Sequence, residues 1–230
     1  KKKLIREQDI EDVIGEIKDN SVDGLNVTVP FKKLVIPFLD ELTLTSNKTQ
    51  SVNTIYKKDN KIIGDNTDVS GFEKAIKYIN FDLKKKKAFI IGAGGVVPSI
   101  IFALKNLGIS KIYLTNRTKE KAESIKEIFS DIEILNWGEL TNFDIIINAT
   151  SIGLNNKEVI SLNFNNLKNK IFYDLIYNPT QTNFLFEAKK KGNFVENGKM
   201  MFLFQAQLAF KIWHNIIPKV DNEIIRLLDQ

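Results

Sequence analysis

The sequence predicts an α/β protein made of two α/β domains. Short apolar strand patterns alternate with helical patterns through the middle of the chain, which is typical of a parallel sheet covered by helices. A separate group of alternating strands precedes them, and a strongly apolar helix pattern over 198–213 follows them. The expected strands of the parallel sheet are 88–91, 111–115, 143–148 and 171–175.

Composition limits the classes of function. The 230 residues are 43% hydrophobic and 27% charged, which is ordinary for a globular protein. The net charge of +5 comes from lysines spread over the whole length, so we expect no nucleic-acid partner. The chain has no cysteine and one histidine, His214, which argues against disulfides and against a metal site. No apolar run reaches the roughly 18 residues of a membrane span, so we expect a soluble cytoplasmic protein with no membrane partner.

The N-terminal region begins with a helical pattern of apolar residues over 10–17 and then turns into a strand over 26–29. Pro30 ends this strand because it cannot donate a ladder hydrogen bond. Lys32 is thereby placed at a strand end. By itself, this lysine is most simply a solvated surface residue.

The following residues predict the rest of the first domain. A helical pattern over 31–39 suggests an α/β unit, and 40–50 are polar and irregular. Strand patterns over 51–56 and 61–64 form a hairpin. The hairpin ends in Asp65-Asn66-Thr67-Asp68, directly before a helix pattern. One of these side chains therefore caps that helix, or the segment serves a functional site.

A glycine-rich turn follows the apolar strand at 88–91. Gly92-Ala93-Gly94-Gly95 leads into a helix that is expected to start near Val96 or Val97, because Pro98 fits only the first turn of a helix. Glycines let the backbone approach a pyrophosphate, and a helix N-terminus supplies free N–H groups and positive dipole charge. The order of strand, glycine turn and helix predicts a dinucleotide site.

The residues after the next strand indicate which dinucleotide is bound. The strand ends in Asn116-Arg117-Thr118, at the place where an NAD site carries an acid for the ribose hydroxyls. Arg117, with Lys121 close behind, suits a 2′-phosphate, unless Arg117 is only an exposed loop residue. Polar residues also follow the last two predicted strands, at the edge where parallel sheets bind ligands.

The C-terminal helix pattern is mostly core-forming. Gln205 lies within it and is most simply solvated or bonded to backbone. His214 stands at the end of the pattern, where it suits a packing role or an interaction with the helix dipole.

The complete set of motifs resembles the shikimate dehydrogenase family. Each motif is weak alone, but together they occur in the family's order over nearly the whole chain. The motifs are Asn26-Val27-Thr28-Val29-Pro30-Phe31-Lys32, Val52-Asn53-Thr54, Gly64-Asp65-Asn66-Thr67-Asp68, Gly92-Ala93-Gly94-Gly95, Asn116-Arg117-Thr118, Asn148-Ala149-Thr150-Ser151, Asp174-Leu175-Ile176-Tyr177-Asn178-Pro179 and Gly198-Lys199-Met200 with Gln205.

The resemblance implies an NADP-linked oxidoreductase of aromatic amino-acid biosynthesis that interconverts 3-dehydroshikimate and shikimate. It implies Lys32 and Asp68 as the catalytic pair. The implied substrate-binding residues are Thr28, Lys32, Asn53, Asp68, Tyr177 and Gln205. The implied NADP-binding residues are Gly92, Ala93, Gly94, Gly95, Val96, Asn116, Arg117, Thr118, Lys121, Thr150, Leu175 and Gly198.

We expect the two domains to divide the chain as follows. Residues 1–70 form a substrate-binding and catalytic domain, and residues 71–199 form a Rossmann-like NADP-binding domain. Residues 200–230 form helices that pack back on the substrate domain. The active protein is expected to be a monomer or a homodimer.

Two features depart from the family pattern. Lys121 keeps the charge of the arginine that the family often has there, but gives up bidentate geometry. The family's first strand and its Ser-x-Ser-Pro turn, whose serines bind the substrate carboxylate, do not occur in the sequence. The chain is therefore expected to be a fragment, or a chain for which this segment is unrecorded.

Two alternatives remain open. One is a related dehydrogenase that acts on quinate or another hydroxylated ring acid, with either NADP or NAD as its cofactor, although Arg117 argues against NAD. The other is a non-catalytic nucleotide-binding sensor on the same fold. A sensor would tolerate the loss of Lys32 and Asp68, whereas the chain has both.

Overall fold

The computed structural model describes residues 3–155, 158–160, 162, 164 and 167–228. Its strands form two separate sheets, one of four strands and one of six. One buried apolar cluster lies against the smaller sheet and two lie against the larger one. The predicted α/β class is confirmed.

The smaller sheet has the strand order β1-β3-β4-β2. β1 pairs antiparallel with β3, β3 antiparallel with β4, and β2 parallel with β4. Helix α1 (Ile10–Lys18) contributes Ile10, Ile14 and Ile17 to the core of this sheet, as its apolar spacing predicts. The strands are β1 (Gly24–Asn26), β2 (Glu41–Leu42), β3 (Thr54–Lys58) and β4 (Lys61–Asp65).

The helix predicted over 31–39 is wrong. Residues 31–35 form turns, and a short 3₁₀ helix spans Ile36–Phe38. Pro37 has no N–H to donate to the carbonyl four residues earlier, so an α-helical ladder cannot run through this segment. The predicted strand is also displaced, because β1 ends at Asn26 and the chain turns at Val29.

The irregular segment expected at 40–50 instead contains β2 and helix α2 (Leu44–Thr49). Thr43 starts this helix, since its side-chain oxygen accepts a hydrogen bond from the Ser46 N–H at 3.4 Å. A threonine followed by six mostly polar residues is a weak sequence signal for the start of a helix. The cap is recognisable only in the three-dimensional structure.

The larger sheet consists of six parallel strands in the order β10-β9-β8-β5-β6-β7. The chain runs outwards from β5 to β7 and then crosses to the other side of β5 as β8. The strand order therefore reverses between β5 and β8, which creates a crevice at their carboxyl ends. The strands are β5 (Lys87–Ile91), β6 (Lys111–Thr115), β7 (Glu133–Leu135), β8 (Ile145–Asn148), β9 (Ile171–Asp174) and β10 (Phe194–Glu196).

Helices cover both faces of this sheet. Helix α4 starts at Val97 with Pro98 in its first turn, as predicted from the proline. The helices that follow α2 are α3 (Thr67–Tyr78), α4 (Val97–Asn106), α5 (Lys119–Ile128), α6 (Asn183–Lys190), α7 (Lys199–His214) and α8 (Asn222–Leu227).

Helix α7 links the two sheets. Its first turns bury Met200 and Leu203 in the same core as α3 and β5. Near its end, the Trp213 indole N–H donates to the Ile55 carbonyl of β3 at 3.2 Å. The last long helix thus returns to the first sheet. Gly71 lets α3 approach α7, because a Cβ at this position would lie 2.8 Å from the Gln205 Cβ.

We expect Gly71→Ala to lower the free energy of unfolding by about 1–3 kcal/mol, because overpacking forces the two helices apart. The matched control is Gly15→Ala in α1, where an added Cβ meets nothing within 4 Å. The control should raise stability by about 0.5–1 kcal/mol, because alanine favours a helix interior. Urea unfolding measures both variants, and a Gly71→Ala protein as stable as wild type would contradict the packing described here.

Candidate active site

Lys32 lies in the turn region after β1 and is held there by the backbone. Its carbonyl accepts a hydrogen bond from the Val52 N–H at 2.8 Å. Its Nζ donates to the Asp68 Oδ2 at 2.5 Å, and the two side chains are only 12% and 8% exposed. Lys32 is therefore not a solvated surface lysine. Removing either partner of such a largely buried ion pair is strongly destabilising, because the other charge is left buried without compensation.

The N-terminus of α3 places Asp68. Asn66 is the N-cap residue, and its Oδ1 accepts a hydrogen bond from the Asp68 N–H at 3.1 Å. The two possible roles of segment 65–68 are thus divided between its members: Asn66 caps the helix, and Asp68 pairs with Lys32. Asp68 stands in the first helical turn, where the macrodipole favours a negative charge.

Asn66 also joins the two sheets. Its Nδ2 lies 2.9 Å from the Ser51 carbonyl and 2.8 Å from the Ser99 Oγ of α4. The Ser51 hydroxyl in turn donates to the Gly95 carbonyl in the glycine-rich turn at 3.1 Å. This polar junction fixes the position of Asp68 relative to that turn.

Asn53 and Gln205 form a second polar pair beside α3. The Asn53 Oδ1 accepts from the Thr67 N–H at 2.8 Å, and its Nδ2 lies 3.4 Å from the Gln205 Oε1. Gln205 donates through Nε2 to the Phe202 carbonyl at 2.9 Å. Gln205 is therefore bonded to backbone, as the sequence suggested, and its other amide atom faces Asn53.

A cleft of about 730 Å³ opens at the carboxyl ends of the parallel strands, where the strand order reverses. Thr28 and Val29, from the region after β1, lie on one wall of it. The predicted residues that it brings together are Thr28, Gly92, Ala93, Gly94, Gly95, Val96, Asn116, Arg117, Thr118, Lys121, Thr150, Leu175 and Tyr177.

The other predicted residues do not line this cleft. Lys32, Asn53, Asp68 and Gln205 form the two polar pairs described above. Gly198 lies behind Leu175, and a Cβ at Gly198 would come within 2.1 Å of the Leu175 carbonyl oxygen. Its absent side chain allows α7 to start directly against the loop after β9.

The glycine-rich turn fits a dinucleotide pyrophosphate. Gly92 has a φ of +108°, and a Cβ there would lie 2.8 Å from the Thr150 Cγ2. At Gly95 an added Cβ would meet nothing within 4 Å, so the backbone is open towards the cleft. The first turn of α4 follows at once, with the partial positive charge of a helix N-terminus.

Two cations stand at the far end of the same cleft, after β6. Arg117 is 63% exposed on its side chain and lies 4.0 Å from Glu158. The Asn116 Nδ2 donates to the Thr118 carbonyl at 2.7 Å, which shapes the loop that carries Arg117. Arg117 and Lys121 together supply the charge, and Thr118 the hydroxyl, that a 2′-phosphate requires.

Several further residues line the cleft without having been predicted from the sequence. Trp137 follows β7, a three-residue strand too short to be recognised from periodicity. Val29 is 67% exposed, which is unusual for a valine and is explained by its place on the cleft wall. The others are Ala149, Ser151, Ile152, Leu154, Ile176 and Asn178, which belong to the loops of motifs that the sequence did reveal.

The structure also bears on His214, on metal binding and on membrane-spanning helices. The ring centroids of His214 and Phe210 are 4.2 Å apart, so the histidine packs at the end of α7. Within the described residues, no group of three or more His, Asp or Glu side chains is placed to hold a metal ion. Among the helices of this part of the chain, none has the length and apolar character needed to cross a bilayer.

Comparisons of the sequence with known proteins match shikimate dehydrogenases. The model of the shikimate dehydrogenase substrate binding domain matches residues 1–55, and the shikimate / quinate 5-dehydrogenase model matches residues 73–180. A shikimate dehydrogenase (NADP(+)) of Pelagibacter ubique is 57% identical over 229 residues, which are 99% of this chain and 86% of that protein.

Solved structures give the same result. The shikimate dehydrogenase of Aquifex aeolicus superposes with a TM-score of 0.87 at 34% identity, covering 97% of this chain and 83% of that one. The enzyme of Thermus thermophilus, solved in complex with NADP(H) and shikimate, gives a TM-score of 0.86 at 28% identity, covering 98% of this chain and 84% of that one.

The buried ion pair leads to a test by double-mutant cycle. We expect Asp68→Asn to lower the free energy of unfolding by about 3 kcal/mol, because the Lys32 ammonium is left buried without its counter-charge. The double variant Lys32→Met with Asp68→Asn should lose less stability than the sum of the two single variants. Urea unfolding of all four proteins provides the cycle, and strictly additive losses would argue against a paired, buried site.

Proposed function

The chain belongs to the shikimate dehydrogenase family, and we propose that it interconverts 3-dehydroshikimate and shikimate with Lys32 and Asp68 as its catalytic pair. It is an NADP-linked oxidoreductase that acts on a CH–OH group. The observation that supports the catalytic assignment most strongly is the buried Lys32–Asp68 ion pair, tied through the Asn66 junction to the glycine-rich turn.

We propose that the substrate binds to the N-terminal part of the chain, residues 1–70, together with the C-terminal helices of 200–230. Residues 71–199 then bind NADP. Two observations support this division. The four-stranded sheet and Lys32 lie in the first part, and Trp213 of α7 returns to that sheet through Ile55.

The cofactor would lie along the carboxyl ends of the parallel strands. Gly92 to Val96 would hold the pyrophosphate, because their backbone is open and precedes a helix N-terminus. Asn116, Arg117, Thr118 and Lys121 would hold the 2′-phosphate. Thr150 and Leu175 would form the nicotinamide side, with Gly198 supporting Leu175 from behind. When bound, NADPH supplies the hydride for the ring ketone.

Lys32 supplies the proton. As the ketone is reduced, negative charge develops on its oxygen, and a general acid must neutralise it. The Lys32 ammonium holds a proton at Nζ and transfers it to that oxygen, and in the reverse direction the neutral amine accepts the hydroxyl proton. Asp68 holds Nζ in place through its 2.5 Å hydrogen bond and balances the charge of the ammonium form.

The remaining polar residues would orient the substrate ring. Asn53 is 3% exposed and fixed by Thr67, so its amide is pre-organised to bind a hydroxyl. Gln205 lies next to it. Tyr177 stacks on Phe202 with ring centroids 4.6 Å apart, which fixes its ring and therefore the position of its hydroxyl oxygen. Thr28 would complete this set from the cleft wall.

The catalytic role of Lys32 can be tested by turnover. We expect Lys32→Ala to lower kcat for shikimate oxidation by about 10²-fold or more, with a smaller change in KM, because loss of a general acid or base acts on the transition state. The neighbouring exposed lysine provides the control Lys33→Ala, which should retain wild-type kcat. An unchanged kcat in the Lys32 variant would remove the assignment.

The role of Arg117 can be tested by cofactor preference. Loss of a charge-assisted bond of about 1.5–3 kcal/mol should lower kcat/KM for NADPH by about 10–100-fold in Arg117→Ala, while the value for NADH changes little. Lys119→Ala, at the first residue of α5 and outside the cleft lining, is the control. Equal losses with both cofactors would mean that Arg117 does not read the 2′-phosphate.

A further inference from the structure

Asp174 carries a carboxylate that the proposed mechanism does not use. It ends β9, directly before the loop with Leu175 and Tyr177, and it is 0% exposed. Its Oδ1 accepts from the Ile176 N–H at 3.0 Å and from the Asn148 Nδ2 at 3.0 Å. Its Oδ2 accepts from the Thr182 hydroxyl at 2.6 Å. All three of these partners are neutral donors.

Asn148 extends this network into the neighbouring loop. It ends β8, and its Oδ1 accepts from both the N–H and the hydroxyl of Thr150, at 3.0 and 2.7 Å. Its Nδ2 also reaches the Ile152 carbonyl at 3.1 Å. One carboxylate therefore connects the loop 148–152 to the loop 174–178, and both loops line the cleft.

The charge of Asp174 is costly for the fold. Burial raises its pKa from 3.8 to about 6, although the hydrogen bonds from Thr182, Ile176 and Asn148 act in the opposite direction. The folded protein thus binds this proton more tightly than the unfolded chain does. Stability therefore falls as pH rises from about 4 to about 6, and near neutral pH the ionised group destabilises the fold. A neutral side chain of the same shape would not carry this cost.

We propose that Asp174 is a positioning residue, which holds the Thr150 loop and the Leu175–Tyr177 loop at a fixed separation around the nicotinamide side of the cleft. The inference rests on the proposed function, because it concerns the geometry of hydride transfer in that cleft. Misplacement of reacting groups by an ångström is enough to cost a large factor in rate. The two oxygens of Asp174 have separate tasks: Oδ1 holds the cleft loops, and Oδ2 holds the Thr182 cap of α6.

The test compares variants that separate these tasks. Asp174→Asn keeps the shape and removes the charge. Its one amide oxygen can still accept neutral hydrogen bonds from the Ile176 N–H and the Asn148 Nδ2, whereas its NH2 group cannot accept from the Thr182 hydroxyl. We expect amide hydrogen exchange in 148–152 and 174–178 of the cofactor-free protein to become about tenfold faster. The value of kcat should fall about tenfold, while the melting temperature stays the same or rises. Thr182→Val should show the reverse pattern, with a lower melting temperature and a wild-type kcat, because it removes the bond to Oδ2 and the cap of α6 but leaves both bonds to Oδ1.

Asp144→Asn is the matched control. This carboxylate precedes β8 at the opposite edge of the sheet, where it accepts from the Lys87 N–H at 2.9 Å. The control should leave exchange in both cleft loops and kcat unchanged. If Asp174→Asn does not fold, Asn148→Ser cuts the same network one step further on and should give the same changes in exchange and turnover.

The outcomes separate this inference from the proposed function. Wild-type oxidation of shikimate reports the function, whereas exchange in the two loops of the cofactor-free protein reports the positioning role without any turnover. Unchanged exchange in Asp174→Asn would overturn the inference. A fall in kcat that is matched by a fall in melting temperature would also overturn it, because that result describes a purely structural residue.

Discussion

The position of the N-terminus of α3 is the constraint on which the rest of the site depends. Asn66 caps the helix, and the same side chain reaches Ser51 beside the first sheet and Ser99 on α4. Asp68 follows two residues later, so its distance from the glycine-rich turn is fixed by a buried junction rather than by a flexible connection. The Lys32–Asp68 ion pair is therefore also held at a fixed distance from the glycine-rich turn.

Close approach between backbones supports this arrangement. Gly71 lets α7 lie against α3, which brings Gln205 next to Asn53. Gly198 lets the start of α7 lie against the Leu175 carbonyl, and Gly92 lets the turn after β5 lie against Thr150. At each of these three positions a methyl group would come within 3 Å of a neighbouring atom, so the spacing of the packed segments depends on the absence of a side chain.

The sequence predicted the larger sheet better than the smaller one. Strands buried on both faces appear as continuous apolar runs, and those that flank the crevice were all found in this way. Strands β2, β7 and β10 have two or three residues and carry no periodicity, so they were missed. The helix expected over 31–39 does not form, because Pro37 interrupts the α-helical hydrogen bonds and the apolar spacing alone does not reveal this.

The site was predictable to the extent that its motifs lie in single segments. The glycine-rich turn and the loop of Arg117 follow strands, and their place at the sheet edge could be inferred from topology. The contacts of Asn66 with Ser99 on α4 and of Gln205 with Asn53 before β3 could not, because these partners lie far away in the sequence. The pairing of Lys32 with Asp68 came from the family resemblance rather than from spacing.

The most direct test is an assay of shikimate oxidation by the purified protein, followed by the absorbance of NADPH, with NADP⁺ binding measured separately by calorimetry. NADPH should form only when shikimate and NADP⁺ are both present, and NAD⁺ should be a much poorer substitute. Binding of NADP⁺ without any NADPH formation would contradict this account and would instead describe a nucleotide-binding sensor on the same fold.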